Sequence, residues 1–199
     1  MQGGNFKLQA IYDSATSATN FTLTSPATNG DFGWVGIGTG QQMAGSNMVI
    51  SWVINNAVVT SNRHAVAEAM PQTTGLTIAG IERNDALTKS DTATGTTVSW
   101  IQPGFPAAGS DMTAVNMIWS HNPVAPTSND PTTTLYKHEI RGFITFDLTK
   151  PYDATGNVAA SATSSGQATG NRMMNKYNMI VFAHMVSALL AQVAYKQKH

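Results

Sequence analysis

Methionine and histidine are the residues of this sequence with the clearest potential to bind a soft metal centre, because cysteine is absent. The chain contains ten methionines and five histidines. Most of the methionines are expected to fill gaps in a hydrophobic core. Met43 differs, because it lies in a small loop, Gly40–Ser46, that provides few apolar residues for a thioether to contact. A thioether presented there could serve as a metal ligand, and haem iron held by one Met and one His is a known electron-transfer arrangement.

Other kinds of chemistry have little support in this sequence. Without cysteine there is no disulfide, no thiolate metal site and no cysteine nucleophile. No two histidines stand four positions apart, and the motifs of zinc proteases, serine hydrolases and phosphate loops are absent. The Gly-rich stretch Gly36–Gly40 is not followed by a dinucleotide-binding helix. Its glycines are therefore expected to let a strand end and a loop approach a ligand closely.

The charge of the chain argues against nucleic acid as a partner. Eleven basic and eleven acidic residues give a formal net charge of zero, and charged residues are only 11% of the sequence. A nucleic-acid or anionic-membrane binder would carry a basic patch or stripe. The first residues contain neither the basic nor the apolar region of a signal peptide. Composition leaves both a cytosolic protein and a processed secreted protein open.

Short apolar runs separated by turn residues predict an all-β fold for the first 150 residues. Nine such runs without helical periodicity are typical of an antiparallel, immunoglobulin-like β-sandwich. Asn55 and Asn56 predict a tight hairpin, because asparagine tolerates positive φ. Two long loops, Gln102–Thr113 and His121–Tyr136, are expected to carry function. The predicted strands are Phe6–Tyr12, Phe21–Ser25, Gly33–Gly38, Met48–Ile54, Val58–Ser61, Leu76–Glu82, Thr96–Gln102, Val115–Ser120 and Gly142–Leu148.

The composition divides the chain into three parts. Residues 1–152 form the predicted sandwich. Residues 153–175, rich in Ala, Ser, Thr and Gly, predict a flexible linker. Residues 176–199 contain an apolar, helix-forming run, Met179–Tyr195, whose 17 residues reach only the lower edge of a membrane span. Residues 176–199 are therefore expected to form either a helix docked on the sandwich or on a partner, or a membrane contact.

Several motifs of the sandwich resemble those of the DOMON cytochrome family, over roughly residues 5–150. The stretch Gly33–Trp52 is similar to the family's Gly-rich strand that runs into a methionine and then into an apolar strand ending in an aromatic residue. Ser128–Pro131 resembles the family's acidic Asp-Pro loop, and His138–Phe143 its histidine followed by a Gly-aromatic strand. The chain is similar to the cytochrome domain of cellobiose dehydrogenase and to fungal iron-reductase cytochromes. Residues 176–199 resemble the start of a cytochrome b561 unit.

The resemblance implies a sandwich that binds one haem b, with Met43 and His138 as axial ligands of the iron. Arg63 is expected to pair with a propionate of that haem, because a guanidinium binds a carboxylate through two hydrogen bonds. The implied function is to relay single electrons between redox partner proteins, at the extracellular face of the membrane or as a secreted protein. The donor would be a flavin dehydrogenase or a membrane cytochrome, and the acceptor a copper oxygenase, a quinone or ferric iron. The alternative is a haem-free sandwich that binds carbohydrate or another small ligand.

Overall fold

The computed structural model describes residues 6–26, 32–73, 81–91 and 94–150, and the backbone of residues 163–168. The described part of the chain consists of strands and loops. The strands are β1 (Lys7–Asp13), β2 (Ala18–Ser25), β3 (Trp34–Thr39), β4 (Asn47–Ile54), β5 (Ala57–His64), β6 (Glu82–Arg83), β7 (Lys89–Asp91), β8 (Gly95–Pro103), β9 (Val115–Asn122), β10 (Ile140–Phe146) and β11 (Thr163–Ala168).

The strands form two sheets, and all of their pairings are antiparallel. One sheet has the order β1-β2-β8-β6, with β7 also paired to β8. The other has the order β11-β10-β9-β3-β4-β5. This architecture confirms the predicted all-β antiparallel sandwich. The predicted C-terminal helix, residues 176–199, lies outside the described residues, within which no helix is long and apolar enough to cross a membrane.

The main core lies between the two sheets and follows from the alternation of side chains along each strand. On β2, Phe21 and Leu23 are buried, whereas Thr22 and Thr24 on the opposite face are partly exposed. Phe21 stacks on Trp100 of β8 with the ring centroids 5.1 Å apart. Burial of these large apolar side chains is the main contribution to the stability of the sandwich.

A second apolar cluster covers the outer face of the six-stranded sheet. On β3, Val35 and Ile37 belong to the main core, whereas Trp34 faces the other way into this outer cluster. The sequence predicted central strands with both faces covered, because these runs are apolar at odd and even positions alike. The structure agrees with that prediction for β3 and β4. The buried members of the outer cluster are Trp34, Met48, Ile50, Trp52, Val59, Ala65 and Leu135.

The predicted hairpin between β4 and β5 is present. Asn55 and Asn56 have φ angles of 50° and 61°, and the flanking residues Ile54 and Ala57 pair with each other. Two consecutive residues with positive φ match the twist of antiparallel strands.

Two predicted segments, Leu76–Glu82 and the linker 153–175, are only partly described by the structure. Residues 76–80 of the predicted strand lie outside the described residues; of the two that are described, Glu82 begins the two-residue strand β6 and Ile81 is not in a strand. β11 lies within residues 153–175, the predicted linker, and its backbone pairs with β10. Composition alone missed this strand, because a segment of small polar residues can still add to an exposed sheet edge through main-chain hydrogen bonds. The division into three parts stays a prediction.

His121, at the end of β9, makes the stability of the fold depend on pH. Its ring is buried, packs on Phe6 and has Nε2 3.3 Å from the carbonyl oxygen of Phe32. Burial lowers the pKa of His121 from 6.5 to about 4, against the effect of the hydrogen bond to Phe32. Between these two values the unfolded chain binds the proton and the folded protein does not. Protonation of the unfolded chain therefore lowers the free energy of unfolding as the pH falls.

We expect the free energy of unfolding to fall as the pH falls from 6.5 towards 4, because His121 is protonated in the unfolded chain but not in the folded protein. The loss should total about 3 kcal/mol, at roughly 1.4 kcal/mol per pH unit. Urea unfolding at pH 7.5, 5.5 and 4.5 measures it. The variant His121→Gln keeps a donor for the Phe32 carbonyl but does not titrate, so its stability should change less over this range. Equal pH dependence in both proteins would contradict the assignment.

Candidate functional site

A cleft of about 690 Å³ lies over the outer face of the six-stranded sheet. A Cβ atom at Gly36 would lie 2.9 Å from Oγ of Ser120, and one at Gly38 would lie 2.5 Å from Oγ of Ser46. A side chain at Gly36 or Gly38 of β3 would therefore require neighbouring side chains to shift, and at Gly38 these include Ile118, whose Cγ1 would lie 2.9 Å from the added atom. The floor is formed by residues of β3, β4 and β9, namely Trp34, Gly36, Gly38, Met48, Ile50, Ile118 and Ser120.

Loops and the beginning of β10 form the walls of the cleft. The loop between β3 and β4 contributes Gln41–Met43, and the loop after β5 contributes Glu68–Pro71. The segment before β10 contributes Leu135–His138, and β10 itself contributes Arg141–Phe143. Three parts of the chain that lie far apart in sequence, residues 41–43, 68–71 and 135–143, therefore meet around one cavity, and loops that converge in this way commonly form ligand sites.

Met43 is held in the cleft by a loop that is tied to the sheet. Gly40 and Gly45 have φ angles of 87° and 81°, which let the chain leave β3 and enter β4 within a few residues. The Gly40 amide donates to the carbonyl of Asn116, and the Ser46 amide donates to the carbonyl of Met43, each over 3.0 Å. The Met43 side chain is half-buried and packs against the outer apolar cluster. The expectation that Met43 makes few contacts with apolar residues was wrong.

His138 is held by backbone hydrogen bonds on both sides. The Lys137 carbonyl accepts a hydrogen bond from Nδ2 of Asn122, and the Glu139 amide donates to the carbonyl of His121. Both partners belong to the end of β9, so this strand fixes the backbone that carries His138. The imidazole is half-buried, and its Nδ1 is buried without a hydrogen-bond partner among the described residues.

The surroundings of His138 favour its neutral form. Burial lowers the pKa of His138, and the positive charges of Arg141 and Lys137 lower it further, while an interaction with its own backbone and the charge of Glu68 have the opposite effect. A metal binds the neutral imidazole, whose ring nitrogen offers a lone pair. The cleft therefore presents His138 in the protonation state that ligation requires at neutral pH.

The structure places two of the three predicted site residues together. Met43 and His138 stand 95 positions apart in the sequence and line the same cleft. Arg63 does not line it. His64, which was not predicted as a ligand, also lies outside the lining, with Nδ1 3.2 Å from Oδ1 of Asn47.

Arg63 requires a correction. Its side chain is only 1% exposed and donates to Oγ of Ser61 and to the carbonyl oxygens of Pro71, Pro131 and Thr133. A guanidinium has five N–H donors, so these four bonds leave little capacity for a propionate. The predicted contact between Arg63 and a haem propionate has no support in this geometry.

The comparisons with known proteins decide what kind of site this is. A family model described as the cytochrome domain of cellobiose dehydrogenase matches residues 9–157, about three quarters of the chain. The chain belongs to this family. It is therefore a haem electron-transfer domain that works with redox partners, and the predicted haem b cofactor is confirmed.

Two solved structures share the fold of this cytochrome domain. The cytochrome b domain of pyranose dehydrogenase from Coprinopsis cinerea has a TM-score of 0.54 and 19% identity, over 69% of this chain and 74% of that chain. The cytochrome domain of cellobiose dehydrogenase from Myriococcum thermophilum has a TM-score of 0.53 and 22% identity, over 67% of this chain and 69% of that chain. At these identities the likeness shows the fold alone. No curated protein matches the sequence.

The cleft of the cytochrome domain fits a haem. A haem needs apolar walls for its macrocycle, nitrogen or sulfur donors for its iron and cations for its propionates. Trp34, Ile50 and Leu135 supply apolar surface. Nε1 of Trp34 and Nδ1 of His138 are buried and have no hydrogen-bond partner among the described residues. These two polar atoms of the cleft lining are therefore available to a ligand. The cavity volume lies within the range of small-molecule and cofactor sites.

Arg141 and Lys137 are cleft residues that the sequence analysis missed. Both line the cavity, and Nη1 of Arg141 lies 3.9 Å from a carboxylate oxygen of Glu68 on another wall. Their position in sequence could have identified them, because each lies within three residues of His138. They bring positive charge to the wall that carries the imidazole.

Proposed function

We propose that this cytochrome domain holds one haem b between Met43 and His138 and relays single electrons between protein partners. The observation that carries the proposal is that these two residues, from separate loops, line one apolar cleft. The partnerless Nδ1 of His138 supports it further, since no structural hydrogen bond among the described residues uses that nitrogen.

The two donors suit an electron relay. Both Met43 and a neutral His138 bind iron without adding charge to the cleft. When bound, the haem supplies a one-electron ferric/ferrous couple, and a thioether ligand raises its potential. If Met43 and His138 both bound the iron, they would leave no coordination site for a substrate or dioxygen. The domain is then a carrier, and its partner proteins perform the chemistry on substrates.

Arg141 and Lys137 are proposed to pair with the haem propionates in place of Arg63. They are the arginine and lysine that line the cleft among the described residues, and Arg141 is partly exposed. Its contact with Glu68 is long and exposed, so it contributes little to stability and a propionate can replace it. A guanidinium can bind a carboxylate through two parallel hydrogen bonds, which makes Arg141 the stronger anchor of the two.

The partners proposed for the relay follow from the family. The donor is a flavin dehydrogenase or a membrane cytochrome, and the acceptor is a copper oxygenase, a quinone or ferric iron. Met70, Tyr136 and Phe143 are exposed apolar side chains around the cleft. They support a small, transient contact of the kind that redox partners make. The extracellular location implied by the resemblance stays a prediction.

The visible spectrum of the haem-loaded protein tests the proposal. We expect one haem per chain, with the sharp reduced α-band of six-coordinate, low-spin haem b, because two protein ligands complete the coordination of the iron. Absence of a Soret band after loading would contradict the proposal and favour the haem-free ligand-binding module. A high-spin spectrum would contradict the ligation by Met43 and His138 while leaving haem binding intact.

A further inference from the structure

Arg63 is a buried cation that does not line the cleft. It lies on β5 and faces the outer side of the six-stranded sheet, where Met48 is its cross-strand partner. Its guanidinium makes no ion pair shorter than 4 Å with a described carboxylate. It donates instead to Oγ of Ser61 at 2.9 Å and to three backbone carbonyls. Such an arrangement uses a permanent charge to hold backbone in place.

The three carbonyls belong to two segments that both reach the cleft. Nη1 of Arg63 donates to Pro71 over 3.4 Å, at the end of the Glu68–Pro71 wall. Nη2 donates to Pro131 over 2.9 Å and to Thr133 over 2.6 Å, shortly before the Leu135–His138 wall. One planar group therefore ties together two walls that lie about 60 positions apart in the sequence.

Ser61 completes this arrangement. Its Oγ accepts from Nε of Arg63 and donates to the Pro131 carbonyl over 2.6 Å. Ser61 is itself buried and lies two positions before Arg63 on the same face of β5. The side chains of Ser61 and Arg63, with the carbonyls of Pro71, Pro131 and Thr133, are named the Arg63 clamp.

We propose that Arg63 is a positioning residue, and that the Arg63 clamp sets the place of His138 relative to the opposite wall of the cleft. The inference rests on the proposed function, because His138 is taken as the iron ligand. Four residues separate Thr133 from His138, and β9 holds the backbone next to His138. The segment is thus fixed at both ends, by the clamp and by the strand. Loss of the clamp frees one end and lets the imidazole leave its ligating position more often.

Arginine is required for this role by geometry. Its rigid fork reaches acceptors on two segments at once, whereas a lysine ammonium offers three donors from a single point. Arg63→Lys keeps the charge and most of the packing but leaves at least one buried acceptor without a partner. Ser61→Ala is a milder change that removes one bond to Arg63 and one to Pro131 and leaves the guanidinium in place.

The test compares haem release and spectra in the haem-loaded protein. We expect haem transfer to an excess of apomyoglobin to be about tenfold faster in Arg63→Lys, the size of effect seen when groups that orient a ligand are lost. We expect a smaller acceleration in Ser61→Ala, and a measurable high-spin fraction in both. The matched control is Leu23→Ala, which removes a buried side chain of the five-stranded sheet. It should lower the melting temperature while leaving the spectrum and the release rate unchanged.

The outcomes separate the clamp from the proposed function. If the wild-type protein shows no six-coordinate haem, the proposed function fails. Hydrogen exchange then tests the clamp alone, since residues 66–73 and 131–138 should both exchange faster in Ser61→Ala than in the wild type. If the wild-type spectrum is as expected but the clamp variants lose only melting temperature, as Leu23→Ala does, the clamp is overturned. Should Arg63→Lys fail to fold, the same comparison is decided by Ser61→Ala.

Discussion

Replacing His138 by alanine should weaken haem binding by at least roughly 100-fold, or about 2.7 kcal/mol. Loss of groups that merely orient a metal ligand costs up to this much, so loss of the ligand itself should cost no less. The half-buried imidazole also fills part of the cleft wall, and alanine leaves a gap beside Arg141 and Lys137. Haem titration followed at the Soret band measures the affinity, and the reduced spectrum should lose the low-spin α-band.

The control for this variant is His64→Ala. His64 is more buried than His138 and hydrogen-bonds Asn47, but it does not line the cleft. Its loss should lower stability without changing the haem spectrum. Added imidazole should restore the low-spin spectrum of His138→Ala, because it returns the missing donor to the gap. If His138→Ala keeps wild-type affinity and spectrum, another residue binds the iron and the proposed ligation is wrong.

Patterns within single strands predicted most of the sandwich. Alternation along β1 and β2 identified strands with one exposed face, and the apolar runs of β3 and β4 identified strands covered on both faces. Asn55 and Asn56 placed the hairpin. These features depend on neighbours in sequence, so the sequence suffices to find them. The motif resemblance predicted that Met43 and His138 lie together, and the structure brings both to one cleft.

Features that depend on how loops meet in space could not be predicted in the same way. Arg63 looked available for a propionate, because nothing in its sequence neighbourhood shows that the carbonyls of Pro131 and Thr133 occupy its donors. Of the two long loops, His121–Tyr136 reaches the cleft through its last residues. Gln102–Thr113 contributes none of the lining, and its Phe105 packs into the main core instead. Loop length alone does not distinguish these outcomes.

Replacing Met43 by alanine should convert much of the haem to a high-spin form and lower its midpoint potential. The thioether is the weaker of the two proposed ligands, so we expect haem affinity to fall only roughly tenfold, about 1.4 kcal/mol. The potential should fall because a thioether stabilises ferrous iron more than the water that would replace it. Spectroelectrochemical titration of the haem-loaded variant measures the spin state and the potential, and haem titration followed at the Soret band measures the affinity.

The matched control is Met70→Ala, since Met70 also lines the cleft and carries the same functional group. Met70 is 48% exposed, whereas Met43 is held against the outer apolar cluster by a loop that is hydrogen-bonded to β9 and to Ala65, the residue after β5. Replacement of Met70 by alanine should leave the haem low-spin. Met43→His should also keep the haem low-spin, but at a lower potential, because imidazole replaces the thioether. A low-spin spectrum in Met43→Ala together with a high-spin spectrum in Met70→Ala would show that Met70, on another wall of the cleft, binds the iron in place of Met43.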